Sequence, residues 1–294
     1  MGSTLRIPLR LSEEARIPRH GELRDWTATL PVVVAELTER WNLQVGPPYE
    51  PGGRCSWVAP ARDASGADLV LKVGWRHTEA AHEADALRLW HGDGAVLLQA
   101  ALESDQTSAL LLERCVPGTP LGRSTPEPEQ DLVVAGLLRR LWRSPPDGHP
   151  FRPLQMMCDE WADELEVKLA TSPGAIDAGL AREGIAMFRA LPRTADTSML
   201  LCTDLHAWNI LAATRERWLA IDPKPYIGDP AYDPLQHMLN CKDRLRSDAA
   251  GFTVRMADLL DLDAERLKLW LFARCIQESI RDPLLYEVAT RLAP

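Results

Sequence analysis

The stretch Asp204-Leu205-His206-Ala207-Trp208-Asn209, followed by Trp218-Leu219-Ala220-Ile221-Asp222, decides how this chain is interpreted. An aspartate is followed five residues later by an asparagine, and a second aspartate thirteen residues further on closes a short apolar segment. The pattern D-L-x-x-x-N is typical of the loop with which kinases catalyse phosphoryl transfer. That reaction needs a carboxylate that orients the attacking hydroxyl group and accepts its proton, and it needs oxygen ligands for Mg2+. We therefore predict that Asp204 is the catalytic base and that Asn209 and Asp222 bind Mg2+.

The composition of the 294 residues favours a small-molecule partner over a nucleic acid or a membrane. With 42 acidic against 33 basic residues the net charge is −9, and no basic stripe is present, so a cationic small molecule would be attracted. No apolar run is long enough to span a membrane and the N-terminus lacks a signal core, which indicates a cytoplasmic protein. The six cysteines form no C-x-x-C pair and are expected to be reduced thiols. These features leave the oligomeric state open.

The first part of the chain has the pattern of strands preceded by a helix. The sequence predicts helices over 22–41 and 79–90 and strands over 55–59, 69–73, 96–98 and 109–112. The break at Val116-Pro117-Gly118-Thr119-Pro120 indicates a domain boundary. We therefore predict a small β-rich, nucleotide-binding N-lobe over residues 1–115, with an N-terminal helical extension.

The remainder of the chain has a helical pattern. Apolar residues at three-to-four spacing predict helices over 133–141, 154–169, 178–191, 249–260 and 264–280. Strands and helices in separate blocks favour an α+β, bilobal fold over an alternating doubly wound sheet. The larger, mostly helical C-lobe over 116–294 is predicted to carry the catalytic loop and the acceptor-binding helices.

Lys72 lies within an apolar predicted strand, where an unpaired ammonium group is costly. The chain holds only five lysines, and most of its positive charge is arginine. In the next helix Glu83 shares a face with Leu87 and Trp90, so its carboxylate faces inward and needs a cationic partner. We predict that Lys72 and Glu83 form an ion pair that holds the phosphates of the donor, as a strand lysine and a helix glutamate do in kinases. The alternative is a lysine and a glutamate that lie separately at the surface.

The glycines of Pro51-Gly52-Gly53-Arg54-Cys55-Ser56 stand where a phosphate-covering loop would lie, but they lack the pattern G-x-G-x-x-G. A glycine-rich turn between two elements is an equally good interpretation. If the segment does bind phosphate, its backbone amides and the Ser56 hydroxyl group are the expected contacts.

Four segments carry a family resemblance: residues 83–95, residues 111–118, residues 201–224 and Gly228-Asp229-Pro230-Ala231-Tyr232-Asp233. They resemble the aminoglycoside phosphotransferase family, and within it the streptomycin 6-phosphotransferase and hydroxyurea phosphotransferase branch. The resemblance covers roughly residue 51 to the C-terminus. It implies a protein-kinase-like fold, ATP or GTP as donor, and an adenine ring held by the backbone between Glu113 and Val116, including Cys115.

By position, the resemblance gives the same roles to Lys72, Glu83, Asp204, Asn209 and Asp222 as the residue chemistry does. Asp229 and Asp233 are interpreted instead as turn and capping residues that shape the loop.

The pair Cys202-Thr203 departs from the family, which usually has His-Gly before the base. The histidine props the loop through hydrogen bonds, and a thiol is a weak donor and acceptor. We expect this end of the loop to be partly open, so that a histidine at residue 202 would be tolerated.

Acceptor recognition is assigned to acidic side chains. Asp159 and Asp163 form a like-charge i,i+4 pair on a predicted helix, and a polycationic ligand would relieve their repulsion. Glu278 and Asp282 form a second acidic patch. The alternative is that these carboxylates lie on solvated helix faces.

Three functions remain open from the sequence. The first is a kinase that phosphorylates a hydroxyl group of a cationic, aminoglycoside-like acceptor such as streptomycin. The second keeps the mechanism but takes another metabolite, such as an amino sugar, a choline-like alcohol or hydroxyurea. The third is a pseudokinase that binds a nucleotide or a partner without turnover, although Lys72, Asp204, Asn209 and Asp222 together argue against it.

Overall fold

The computed structural model describes residues 5–171 and 176–294; residues 1–4 of the predicted N-lobe and 172–175 of the predicted C-lobe lie outside the described residues. The chain divides into two compact units. The first runs to Gly118 and includes the short segment Ala213–Arg215, and the second consists of Thr119–Ala212 and Glu216–Pro294.

The first unit is built around a five-stranded antiparallel sheet with the strand order β1-β2-β3-β5-β4. Its strands are β1 (Gln44–Val45), β2 (Ser56–Arg62), β3 (Asp68–Trp75), β4 (Leu98–Glu103) and β5 (Thr107–Glu113). Its helices are α1 (Leu9–Ala15), α2 (Gly21–Arg40) and α3 (Glu83–Trp90). Burial alternates along β3, as expected for a strand with two different faces.

The helices α1 and α2 cover one face of this sheet. The buried residues of α2 recur at three-to-four spacing and pack in one core with Leu71 and Val73 of β3. Trp26 of α2 donates a hydrogen bond from its Nε1 to the Thr107 Oγ1, at 2.9 Å, and both residues are buried. The predicted N-terminal extension is therefore part of the core of the first unit.

Two elements of this unit begin later than the sequence predicts. The helix predicted from residue 79 is a short 3-10 turn over Thr78–Ala80 followed by α3, because His82 takes a left-handed backbone conformation with φ 67°. The strand predicted over 96–98 instead begins at Leu98. Leu97 precedes it, and Leu97 is held by hydrogen bonds to both the backbone and the side chain of Glu113.

The second unit is mainly helical. Its helices are α4 (Leu121–Ser124), α5 (Glu127–Leu141), α6 (Leu154–Thr171), α7 (Ala178–Ala190), α8 (Leu235–Asn240), α9 (Lys242–Leu260), α10 (Ala264–Glu278) and α11 (Pro283–Leu292). The helix α9 is kinked at Asp248, whose Oδ1 accepts a hydrogen bond from the Gly251 amide at 2.8 Å as an N-cap would. The part of α9 after this kink corresponds to the helix predicted over 249–260.

The segment from Asp204 to Asp222 lies among short strands of two or three residues. They are β6 (Arg152–Pro153), β7 (Met199–Leu201), β8 (Ile210–Ala212), β9 (Trp218–Ala220) and β10 (Tyr226–Gly228). They form a three-stranded sheet in the order β6-β10-β7 and a two-stranded antiparallel sheet of β8 and β9. The chain therefore leaves β7 into the Asp204 loop, returns as β8 and β9, and reaches β10 through Asp222.

The α+β class predicted from the sequence is confirmed, with an antiparallel sheet in one unit and helices predominating in the other. Across the two described ranges, no helix combines the length and the apolar character needed to cross a membrane.

Candidate active site

Asp204 and Asn209 lie in one tight loop of the second unit. The Asn209 side-chain Nδ2 donates a hydrogen bond to the backbone carbonyl oxygen of Asp204 at 3.1 Å, and the Asn209 amide donates to the carbonyl of His206 at 2.8 Å. Because the amide nitrogen of the Asn209 side chain is used inside the loop, its oxygen is the atom that can act as a metal ligand.

Asp222 is brought next to this loop by the pairing of β8 with β9. Ile210 pairs with Ala220, and the Ile221 amide donates a hydrogen bond to the Asn209 carbonyl oxygen at 2.9 Å. Asp222 then takes a left-handed conformation with φ 55° and is exposed. The two predicted metal ligands thus lie on neighbouring backbone segments that are hydrogen-bonded to each other.

The donor chemistry of these two residues fits Mg2+. One amide oxygen and one carboxylate are hard ligands, and Mg2+ typically uses one or two protein carboxylates, substrate phosphates and waters. Among the described residues, no group of three or more histidine, cysteine, aspartate or glutamate side chains is arranged to hold a metal ion.

The start of the loop is anchored by the buried Asp233. Its carboxylate accepts hydrogen bonds from the amides of Cys202 at 3.0 Å and Thr203 at 2.6 Å, and from the Trp142 Nε1 at 2.9 Å. Burial raises the pKa of Asp233 to about 6, although these three hydrogen bonds act in the opposite direction. The structural role predicted for Asp233 is therefore confirmed, and so is that of Asp229, which caps the 3-10 turn Pro230–Tyr232.

The expectation that this end of the loop is open is wrong. Cys202 is fully buried, and burial raises the pKa of its thiol well above the ordinary value. Its backbone amide donates to Asp233 and its carbonyl oxygen accepts from the amides of Asp204 and Lys224 at 2.8 and 2.9 Å. The loop is thus propped by backbone groups and the Asp233 carboxylate, which the motif alone does not reveal.

Thr203 holds a backbone conformation that favours glycine, with φ 50°. Its hydroxyl group donates a hydrogen bond of 2.5 Å to the carbonyl oxygen of Lys224. This bond offsets part of the conformational strain of a β-branched residue, and it accounts for a threonine where the family usually has glycine.

The Asp204 carboxylate lies between a cation and an imidazole. The Lys224 Nζ lies 3.6 Å from its Oδ2, and the His206 Nε2 lies 4.0 Å from its Oδ1. Burial lowers the pKa of His206 to about 4, so this imidazole is neutral near pH 7. Lys224 therefore supplies positive charge at Asp204, a role that sequence reasoning missed.

Lys72 and Glu83 are paired in the first unit. The Lys72 Nζ lies 2.7 Å from the Glu83 Oε1 and 2.6 Å from its Oε2, and the two side chains are only 12% and 7% exposed. Glu83 is the first residue of α3 and Lys72 lies in the interior of β3. The ion pair predicted from the sequence is present, whereas its role toward phosphates stays a prediction.

The other predicted nucleotide contacts lie at two places in the first unit. Ser56 begins β2, and a Cβ added at Gly53 would lie 2.7 Å from the Ser56 Oγ, so a side chain at residue 53 would require the Ser56 hydroxyl group to move. Glu113 ends β5, and its carboxylate accepts from the Arg215 guanidinium at 2.9 Å. Burial raises the pKa of Cys115 to about 11, so its thiol is protonated.

The predicted acceptor carboxylates have basic partners within the second unit. Arg189 of α7 bonds to Asp159, at 2.7 Å, and to Asp163. Glu278 lies 3.2 Å from an Arg274 nitrogen. Asp282 caps α11 and lies 2.5 Å from the Lys242 Nζ. The repulsion between Asp159 and Asp163 is thus relieved inside the chain, and an acceptor-binding role for the four residues stays a prediction.

Trp208 is the exposed aromatic residue of the catalytic loop, directly before Asn209. Its side chain is 51% exposed. Gly122 of α4 lies against its six-membered ring, where an added Cβ would come within 3.1 Å, and the Gly122 amide donates to the Ala207 carbonyl oxygen at 3.0 Å. Sequence reasoning missed this exposed indole and its support by Gly122.

The chain matches a family model and curated proteins over most of its length. The model described as aminoglycoside/hydroxyurea antibiotic resistance kinase matches residues 40–282. Streptomycin 6-kinase from Streptomyces griseus is 32% identical over 304 residues, which cover 99% of this chain and 94% of that protein. Hydroxyurea phosphotransferase from Kitasatospora aureofaciens is 35% identical over 300 residues, which cover 98% of this chain and 84% of that protein.

The fold is also similar to that of solved kinases. Choline kinase LicA from Streptococcus pneumoniae matches with a TM-score of 0.60 at 11% identity, over 90% of this chain and 96% of that chain. LicA in complex with AMP matches with a TM-score of 0.55 at the same identity, over 88% and 95%. The family resemblance and the kinase-type fold that it implied are confirmed by these findings.

Proposed function

The chain belongs to the aminoglycoside/hydroxyurea antibiotic resistance kinase family, and on that premise we propose that it transfers the γ-phosphoryl group of ATP to a hydroxyl group of a small cationic acceptor of the aminoglycoside type, such as streptomycin. Its membership makes it a small-molecule phosphotransferase. The donor, the acceptor and the roles of individual residues are our proposal.

One observation carries the proposal most directly. The hydrogen bond from the Asn209 side chain to the Asp204 carbonyl, together with that from the Ile221 amide to the Asn209 carbonyl, fixes three motif residues relative to one another. Phosphoryl transfer requires such a fixed arrangement, because the protein catalyses it by positioning the reactants and stabilising charge and takes little part in covalent chemistry.

The reaction assigned to these residues balances as a direct displacement. The acceptor oxygen forms a bond to the γ-phosphorus, the bond from that phosphorus to the β,γ-bridging oxygen breaks, and ADP leaves with the bonding electrons. Asp204 accepts a hydrogen bond from the acceptor hydroxyl group and takes its proton. His206 is a poor proton acceptor, because burial lowers the pKa of its imidazole to about 4.

Two sets of residues are proposed to contact the donor. Lys72, held by Glu83, would bind the donor phosphates, while Asn209 and Asp222 would hold Mg2+, which neutralises phosphate charge when bound. The structural similarity to LicA in complex with AMP supports a nucleotide as donor. Both ATP and GTP are therefore included in the assay.

A cationic acceptor is supported by charge and by Trp208. The net charge of −9 attracts cations at long range. At short range, the exposed Trp208 indole offers a face on which an ammonium or guanidinium group gains about 0.5–1 kcal/mol. The four predicted acidic residues are weaker candidates, since Asp159, Asp163, Glu278 and Asp282 already have basic partners.

Hydroxyurea is a second candidate acceptor, supported by the 35% identity to a hydroxyurea phosphotransferase. It is small and uncharged, so neither the negative charge of the protein nor Trp208 would contribute much to its binding. The two acceptors therefore differ in their predicted response to salt, because screening weakens only the attraction of a cation.

The proposal is tested by incubating the purified chain with Mg2+ and either ATP or GTP, in the presence of streptomycin, other aminoglycosides or hydroxyurea. We expect ADP release and a product heavier by one phosphoryl group with an aminoglycoside. The matched control is Asp204→Asn, which has nearly the same size. Product formation that does not exceed this control with any of these acceptors would refute the proposal.

A further inference from the structure

Lys224 places an ammonium group beside the proposed base. Its Nζ lies 3.6 Å from the Asp204 Oδ2, within ion-pair distance. The Asp204 side chain is 18% exposed and that of Lys224 is 37% exposed, so the pair is only partly screened by water. The chain contains only five lysines, and one of them lies beside the proposed base.

The backbone of Lys224 is tied to the two residues that precede the base. Its amide donates to the Cys202 carbonyl oxygen at 2.9 Å, and its own carbonyl oxygen accepts from the Thr203 hydroxyl group. These bonds involve no side-chain atom of Lys224. The side chain is therefore presented from a fixed backbone, and it can be replaced without removing those bonds.

The loop from Asp204 to Asn209 contains no lysine or arginine of its own. Its one basic residue, His206, lies near the other carboxylate oxygen of Asp204. The fixed positive charge at the base comes instead from Lys224, a residue twenty positions later that the β10 segment brings back to the loop.

We propose that Lys224 is a positioning residue of the phosphoryl transfer, whose ammonium group holds one oxygen of the Asp204 carboxylate so that the other oxygen receives the acceptor hydroxyl group. This inference rests on the proposed function, since it needs Asp204 to be the base. Positioning and preorganised charge are the main contributions of a protein to this reaction, so the loss of this cation affects turnover more than nucleotide binding.

The test compares Lys224→Met, which removes the charge and keeps the length, with Lys224→Arg, which keeps the charge. Lys268→Met is the matched control, because Lys268 forms an ion pair with the exposed Glu265 in the same unit and neither residue has a proposed role. Turnover is followed as ADP release in the presence of streptomycin. This readout also detects transfer to water, so a rate can be measured if streptomycin is not the acceptor. Nucleotide binding is measured by calorimetric titration with Mg-ATP, and stability by the thermal midpoint.

We expect Lys224→Met to lower kcat by about 10- to 100-fold while the Kd for Mg-ATP and the thermal midpoint change little. Lys224→Arg should recover part of the lost kcat, and Lys268→Met should equal the wild type. In an Asp204→Asn background the Lys224→Met change should have little further effect, because a residue that acts through Asp204 is not additive with it.

A Lys224→Met variant with kcat within about twofold of the wild type would overturn the inference, provided Asp204→Asn is inactive. Equal losses in kcat from Lys224→Met with and without Asp204 would overturn it as well. If Asp204→Asn itself keeps wild-type turnover, the assignment of the base under the proposed function fails, and the inference about Lys224 fails with it. The Asp204→Asn control therefore separates the two failures.

Discussion

The Thr203 amide donates a 2.6 Å hydrogen bond to the Oδ1 of the fully buried Asp233, thirty residues later in the chain. The other oxygen of the same carboxylate binds the amide of Cys202 and the Trp142 indole. One buried carboxylate thus fixes the backbone directly before Asp204. The position of the proposed base depends on a residue that touches neither the donor nor the acceptor in our assignment.

Asp204→Asn should lower phosphoryl transfer by about 10²–10⁴-fold, the range that a positioned general base contributes. The amide cannot take the acceptor proton, but it has nearly the shape of the carboxylate. The thermal midpoint and the Kd for Mg-ATP, measured by calorimetry, should therefore stay near the wild-type values. Near-wild-type turnover would remove Asp204 from the mechanism.

Asp222→Ala should abolish tight binding of Mg-nucleotide, and Asn209→Ala should weaken it less, because each deletes one oxygen ligand and only Asp222 carries charge. Calorimetric titrations with ATP, with and without Mg2+, measure the metal-dependent part of binding. If both variants keep the wild-type dependence on Mg2+, the two residues do not hold the metal.

Cys202→His should destabilise the protein by about 1–3 kcal/mol and lower turnover, because an imidazole overpacks a fully buried site. This reverses the expectation from the sequence, which was that a histidine at residue 202 would be tolerated. Urea unfolding gives the free energy of unfolding. The control is Cys55→His, at a partly exposed cysteine, which should change that free energy by much less. Unchanged stability and turnover in Cys202→His would show that the site adapts.

Thr203→Gly and Thr203→Ala should separate strain from hydrogen bonding. Both variants lose the bond to the Lys224 carbonyl, but only alanine keeps a Cβ at φ 50°. The glycine variant should therefore unfold with a free energy about 1 kcal/mol higher than the alanine variant, the usual size of left-handed strain. Chemical denaturation measures the difference, and an alanine variant as stable as the glycine variant would argue against strain at this residue.

Asp131→Asn should destabilise the second unit at neutral pH by about 3–5 kcal/mol, because it breaks a buried charge cluster. Asp131 accepts hydrogen bonds from His237, Arg244 and Arg255 at 2.7–2.9 Å. Burial acts to raise the pKa of Asp131, but these partners together hold it below the ordinary 3.8.

The pH dependence of this effect follows from the sign of the shift. A carboxylate whose pKa is lower in the folded state stabilises the fold above the unfolded-state pKa, and this stabilisation is lost as the pH falls. The difference in unfolding free energy between wild type and Asp131→Asn should therefore shrink below about pH 4. The exposed pair of Asp68 with Arg62 provides the control, since Asp68→Asn should have an effect below about 1 kcal/mol at any pH. A difference that grows on acidification would contradict the argument.

The features predicted best from the sequence are those set by local periodicity. Glu83 falls on the buried stripe of α3 and Lys72 lies inside an apolar strand, so burial leaves each charge in need of the other. The spacing of Asp204, Asn209 and Asp222 likewise needs only one loop and one short hairpin, which the chain order already contains.

The features that were missed depend on pairing between distant segments. The strands β6, β7 and β10 have two or three residues each, too few for a periodic pattern. Arg189 reaches Asp159 from a different helix, so the acidic helix looked unpaired in the sequence. No local pattern indicates that Asp233 binds the amides of Cys202 and Thr203.

The two N-terminal helices have a practical consequence for anyone who trims this chain. The family match begins at residue 40, where α2 ends, yet α1 and α2 supply Leu11, Trp26 and Leu30 to the core behind the sheet. A fragment that begins at residue 40 would leave Leu71 and Val73 exposed to solvent. Apolar sheet faces that are exposed to solvent promote aggregation. The stretch matched by the family model and the stretch that forms the core of the first unit therefore differ, and a fragment made for expression should keep α1 and α2.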